Sequence, residues 1–138
     1  MNNILKKVNL QIPQILSSAK NIAVVGISDK PARDSYLVAS YLKEAGYKIF
    51  PVNPKLESIL GMQCYENLQE IQDPIDIVDI FRRSEFVIPI VEDALRIKAR
   101  TIWMQLGVIN EEAAQLALRS GLNVIMNRCI KIEHSIYT

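Results

Sequence analysis

The chain has 138 residues, 49% hydrophobic and 22% charged, which suits one domain, 1–138, with a core of its own. Its formal net charge of +1, with two cysteines and one histidine, argues against nucleic-acid backbone binding, a disulfide scaffold and a Cys/His zinc site. No apolar run approaches the ~18 residues of a membrane span and the start does not read as a signal peptide, so the expected location is the cytoplasm.

Residues 3–16 predict an extra helix packed on the outside, within an N-terminal extension 1–19 that precedes a core at 20–133. Residues 21–26, Asn-Ile-Ala-Val-Val-Gly, form a near-continuous apolar run that reads as a strand buried on both faces. Apolar residues at helical spacing over 35–45 predict a helix that stops at Gly46. A second strand covers 47–53, with Pro51 as a caution because proline removes a ladder donor. Residues 56–65 read as a loop with a short extended piece, and 66–71 as a short helix. The third strand, 75–81, contains Asp76 and Asp79, which suggest one less buried face. A helix follows over 84–98, where Pro89 is tolerable near the first turn. The fourth strand is 101–104, Asn110 with Glu111 and Glu112 starts a helix to about Ser120, and 122–126 is the fifth strand.

This alternation predicts an α/β, Rossmann-like fold: a five-stranded parallel sheet with helices on both faces. The expected strand order is 3-2-1-4-5, with a ligand crevice beyond the carboxyl ends of strands one and four.

Four strand ends carry the candidate chemistry. The loop 26–33 lies where backbone N–H groups and a helix dipole can hold a phosphate. There Gly26 allows close approach, Ser28 offers a hydroxyl, and Lys30 and Arg33 supply charge; an ordinary polar loop with solvated bases is the alternative. Ser28 and Pro31 stand where a G-x-G-x-x-G fingerprint would need glycines, and no Walker-type motif is present. After strand two, Asn53 and Lys55 replace the acid that grips ribose hydroxyls in NAD-binding proteins. A lysine there suits a phosphorylated ribose, which both NADP and coenzyme A (CoA) carry, and the missing fingerprint favours CoA. At the end of strand three Phe81 could meet an adenine face while Arg82 or Arg83 meets phosphate, and Gln105 and Gly107 follow strand four. Each has a plainer reading as core, helix-start or turn residue.

Six segments together resemble a known family: Val25-Gly-Ile-Ser28 with Pro31 and Arg33, Pro51-Val-Asn-Pro54, Ile59-Leu-Gly61, Val78-Asp-Ile-Phe-Arg82, Trp103-Met-Gln-Leu-Gly107 and Met126-Asn-Arg-Cys129. They look like the small standalone CoA-binding proteins, which are similar to the CoA-binding domain of the succinyl-CoA synthetase alpha subunit. The resemblance runs from about Lys20 to Glu133, and Ile130 departs from the proline often found after the cysteine. It implies CoA or an acyl-CoA bound at the strand carboxyl ends. Carried over by position, it puts Gly26, Ile27, Ser28 and Arg33 at the phosphate loop, with Lys30 in a variable part of that loop. Pro51, Asn53, Pro54 and Lys55 would line the nucleotide side. Phe81 and Arg82 would wall the middle of the groove, and Gln105 with Gly107 would face the pantetheine arm.

In the synthetase the phosphorylated histidine lies in a second domain, and this chain is expected to end before one begins. His134 reads as a surface residue of a C-terminal tail, Cys129 as a small hydrophobe, and Asp76 and Asp79 have no base beside them. No catalytic constellation emerges. The leading expectation is a CoA-binding module without its own chemistry, acting alone, as a homo-oligomer or with a protein partner. An NADP-dependent enzyme and a CoA-dependent ligase or transferase component needing a partner chain are the alternatives.

Overall fold

The apolar runs do become strands, and they lie side by side. A computed structural model of the chain describes residues 4–138. In chain order, α1 (Ile4–Lys7) and α2 (Ile12–Ser18) precede β1 (Asn21–Val25), α3 (Asp34–Glu44) and β2 (Lys48–Val52). A hairpin of β3 (Ser58–Ile59) and β4 (Met62–Gln63) and a 3-10 turn at Leu68–Glu70 lead to β5 (Ile77–Ile80). Then come a 3-10 turn at Ser84–Phe86, α4 (Val87–Arg96), β6 (Thr101–Met104), α5 (Glu111–Arg119), β7 (Asn123–Met126) and α6 (Ile130–Tyr137). No helix among the described residues is long and apolar enough to cross a membrane.

The five long strands form one parallel sheet in the order β2-β1-β5-β6-β7. Counted as the five major strands, that is 2-1-3-4-5, which corrects the expected 3-2-1-4-5. Pro51 supplies a physical reason. The expected order would place the second strand inside the sheet, where a proline leaves a ladder bond unmade. In the structure β2 is an edge, and on its outer side Pro51 O accepts Tyr65 N–H at 2.8 Å while Asn53 N–H donates to Tyr65 O at 2.9 Å. The point where the chain reverses direction across the sheet therefore falls between β1 and β5, not between strands one and four, and the crevice moves with it.

Both faces of the sheet are covered, each by its own core. Ala23, Val78, Ile80 and Ile102 face α1, α4 and α5, while Ile22, Val24, Ile77 and Trp103 face α2, α3 and α6. The acids of the third strand do not mark a wetter face, since Asp79 is fully buried. Asp76 sits just before β5, where its carboxylate accepts the N–H groups of Lys20 and Asn21 at 2.8 and 2.9 Å.

The N-terminal segment is two helices, not one, and Asn3 lies outside the described residues. Asn9 and Gln11 take left-handed backbone at φ 59° and 61°, a conformation asparagine tolerates. Asn9 then pairs with the free edge of β7: its N–H donates to Val124 O at 2.8 Å, its Nδ2 to Met126 O at 3.2 Å, and its Oδ1 accepts Met126 N–H at 2.6 Å. An edge that would otherwise be open to pairing is thereby closed.

Two elements were not foreseen, the hairpin and α6. The tail histidine is half-buried on α6, with Nδ1 2.8 Å from the Tyr41 hydroxyl and the rings of Tyr41 and Tyr47 edge-on to it. His134 thus helps fasten α6 instead of standing free on the surface.

Candidate functional site

Beyond the carboxyl ends of β1 and β2 lies an open cavity of about 410 Å³, within the range of small-molecule sites. Its apolar lining comes from Val25, Val52, Leu68 and Ile90, and its polar rim from Asn53, Lys55, Glu66, Asn67, Arg82 and Asp93. Gly26 and Pro54 complete the wall.

Gly26 ends β1 with φ +86°, and its N–H donates to Val52 O at 3.1 Å. A Cβ there would lie 2.9 Å from Arg82 Cδ and 3.0 Å from Phe81 O, so the glycine is required both by its backbone angle and by the crossing Arg82 side chain. Arg82 runs across the cavity wall with its guanidinium over the Phe86 ring, 4.9 Å from the centroid, a cation–π contact that holds the charge at the rim. Among the described residues the ion pairs are Lys48–Asp73 and Arg96–Asp93. Lys55, Arg33 and Arg82 therefore have no carboxylate of the described residues bound to them. Asp93, engaged by Arg96 at 2.7 Å, is the better neutralised of the two acids at the rim. Glu66 is the other.

Asn53 connects the two loops. Its Nδ2 donates to Ile27 O at 2.7 Å and its Oδ1 accepts Lys55 N–H at 2.8 Å. With both ends of its amide engaged, Asn53 positions Lys55 relative to the loop after β1.

The structure brings Gly26, Asn53, Pro54, Lys55 and Arg82 into one cavity and distributes the rest around it. Ile27 is fully buried in the core, so only its backbone belongs to the loop. Ser28 is half-buried; its N–H donates to Ser35 Oγ at 2.9 Å and its Oγ accepts Lys30 N–H at 3.1 Å. Arg33 is exposed at the start of α3. Pro51 is buried within β2, short of the rim, and Phe81 packs on the α3 side of the sheet, outside the cavity. Gln105 is buried and its Oε1 accepts Ile130 N–H at 3.0 Å, so its side chain holds the start of α6 and is turned away from the rim. Gly107 has φ +86° and open space where a Cβ would be, and its N–H donates to Asn127 Oδ1 at 2.8 Å.

Of the cavity lining, Val25 and Val52 on the strands and Leu68, Asn67, Glu66, Ile90 and Asp93 beyond them were not among the expected site residues. The last five reach the cavity from the segment that leads into the 3-10 turn, from that turn and from α4, and no local pattern marks them. No three His, Cys, Asp or Glu side chains among the described residues gather to hold a metal ion. Cys64 is buried, and burial pushes its thiol above the ordinary range, the reverse of what a nucleophile needs.

Comparison with known proteins agrees with the architecture. A family model described as a CoA binding domain matches residues 20–135. The protein YneT of Bacillus subtilis is 45% identical over 126 residues, covering 91% of this chain and 93% of that protein. The ADP-forming acetate–CoA ligase of Methanocaldococcus jannaschii is 26% identical over 128 residues, which is 87% of this chain but only 18% of the ligase. A hypothetical protein from Pyrococcus horikoshii OT3, of known structure, superposes with a TM-score of 0.89 at 41% identity, covering 91% of this chain and 89% of that one. The motif resemblance and the family match coincide over the same stretch, and the chain belongs to the CoA-binding domain family.

Proposed function

We propose that the chain binds CoA, or an acyl-CoA, in this cavity and carries no chemistry of its own. The observation that supports it most is a cavity at the carboxyl ends of β1 and β2, with an apolar lining and with Lys55 and Arg82 on a rim where Asp93 is already paired with Arg96, in a member of this family. The apolar lining of Val52, Leu68 and Ile90 suits a nucleobase. Lys55 suits the 3′-phosphate of the ribose, and the crossing of Gly26 by Arg82 suits a pyrophosphate passing close to the main chain. Arg33, at the start of α3, adds charge from the far side of the loop. Under this reading the chain acts as a single domain over 1–138, as a carrier or sensor of the cofactor or beside a partner that supplies catalysis.

Thermal melts with CoA, NADP and NAD test the ligand. A ligand bound only by the native state adds about 2.7 kcal/mol at a hundredfold excess over its Kd, so CoA is expected to raise Tm well above either dinucleotide. A larger rise with NAD or NADP overturns the assignment. Lys55→Ala then tests the phosphate: CoA is expected to weaken by roughly one to two decades, and dephospho-CoA far less. Equal losses would remove Lys55 from the 3′-phosphate.

A further inference from the structure

An apolar lip continues the rim away from the cavity. Phe86, Leu106 and Ile109 are 43%, 65% and 48% exposed, although all are large and apolar. They lie on the two segments that follow β5 and β6. Ser84 joins those segments, because its Oγ accepts Ile109 N–H at 2.9 Å and its carbonyl accepts Asn110 Nδ2 at 2.9 Å. Phe86 in turn carries the Arg82 guanidinium on its ring, and Arg82 lines the cavity. Cavity, Arg82, Phe86 and the 106–109 loop are therefore linked contact by contact.

Leu106 is not left outside by a loose loop. Val108 N–H donates to Gln105 O at 2.8 Å, which closes a tight turn with Leu106 and Gly107 at its tip. The turn is fixed at its start by Gln105 Oε1 on Ile130 N–H and at its tip by Gly107 N–H on Asn127 Oδ1. One exposed leucine is ordinary, but three large apolar side chains held at the carboxyl-end rim on two segments tied together by Ser84 suit an apolar contact.

We propose that the ligand is a CoA thioester with an apolar acyl chain, and that Phe86, Leu106 and Ile109 receive that chain. The inference rests on the CoA reading. With the ribose phosphate at Lys55 and the pyrophosphate at Gly26 and Arg82, the pantetheine arm leads from β1 across the ends of β5 and β6. It brings the thioester to Gly107, where the space beyond the main chain is open. An apolar acyl group then covers the lip, whereas a carboxylate at the end of the acyl chain would lose water there without a partner.

Calorimetric titration of the full chain with CoA, butyryl-CoA, hexanoyl-CoA and succinyl-CoA tests this. Each methylene covered on a half-open surface is expected to tighten binding roughly two- to fourfold, so affinity rises from CoA to butyryl-CoA to hexanoyl-CoA. Succinyl-CoA is expected to fall below butyryl-CoA. Replacing two of the three side chains, Leu106→Ser with Ile109→Ser, should sharply flatten the dependence on chain length, with circular dichroism confirming the fold. Equal affinities of the parent protein for CoA and hexanoyl-CoA overturn the lip and leave the CoA reading standing. Binding of none of the four ligands overturns both. A dimer in sedimentation that the double variant dissolves would assign the lip to a second copy of the chain and overturn the acyl site.

Discussion

The amino and carboxyl ends of the strands are built on opposite plans. At the amino ends, Asp76 binds the N–H groups of Lys20 and Asn21 through its carboxylate, and its own N–H and carbonyl bond Asn21 O and Thr101 N–H. One residue there ties β1, β5 and β6 together, and Asn21 Nδ2 adds a bond to Pro74 O at 2.7 Å. At the carboxyl ends of the same strands, Gly26 leaves room for the Arg82 side chain to lie across it, and Lys55 and Arg82 line a cavity with no carboxylate of the described residues bound to them. Stability is thus concentrated at one end of the sheet and unsatisfied charge at the other, the usual division between scaffold and site in open α/β sheets.

Valine at position 26 is the most severe way to break this arrangement. Its Cβ would press on Phe81 O and Arg82 Cδ from a backbone at φ +86°, where a β-branched residue costs roughly 1–3 kcal/mol before any overlap is counted. Gly26→Val is expected to lose CoA and also to melt earlier, because the nearest backbone atom belongs to the neighbouring strand end. Alanine separates the two causes. Gly107 has the same φ but nothing within 4 Å of its Cβ position, so Gly107→Ala reports the backbone cost alone. Gly26→Ala should lower Tm by about 4 °C more for each kcal/mol of crowding. Equal losses at 26 and 107 would mean that Arg82 moves aside freely and does not define the rim.

How much of this was legible follows from the range of each signal. The strands were, because an apolar run of four or five residues states its own burial. Their order was not, since it depends on which edges meet. Pro51 pointed to an edge strand, yet the expected order 3-2-1-4-5 followed the more familiar nucleotide-binding pattern and set that local warning aside. Gly26, Asn53, Lys55 and Arg82 were legible as strand-end residues. The engagement of Asn53 with Ile27 O across 26 positions, and the burial of Gln105 against Ile130, were not. The 3-10 and α4 walls of the cavity came only with packing. The spacing of Ile130, His134 and Tyr137 does fit one helical face, so α6 was readable and missed.

The amino end should fail differently. Asp76→Ala leaves two strand-end N–H groups without their carboxylate, and a loss of about 1–3 kcal/mol is expected. CoA affinity should be unchanged, because the substitution lies at the far end of β1 and β5. Urea denaturation and calorimetry on one preparation would read both quantities. A drop in CoA affinity with no loss of stability would show that the two ends are not independent.

The mildest change sharpens the comparison within β5 itself. Asp79 lies three residues beyond Asp76, between Val24 of β1 and Trp103 of β6. It is fully buried, and neither of its carboxyl oxygens has a partner among the described residues. Loss of hydration raises its pKa well above the ordinary carboxylate range. An aspartate in the unfolded chain titrates near about 3.9. Between that pH and the folded value, the native state holds a proton that the unfolded chain has released. Stability contributed by this group therefore falls as pH rises through the window and levels off above it. Asp79→Asn keeps the shape and has no proton to release, so parent and variant should differ little near the acid end of the window. The variant should gain on the parent as pH rises. Urea denaturation in steps from about pH 4 to about pH 8, with the slope m checked for constancy, would measure the difference. Parallel curves for the two proteins would mean that the Asp79 carboxyl has found a partner or water in solution, and that the middle of β5 is not the dry interior its burial indicates.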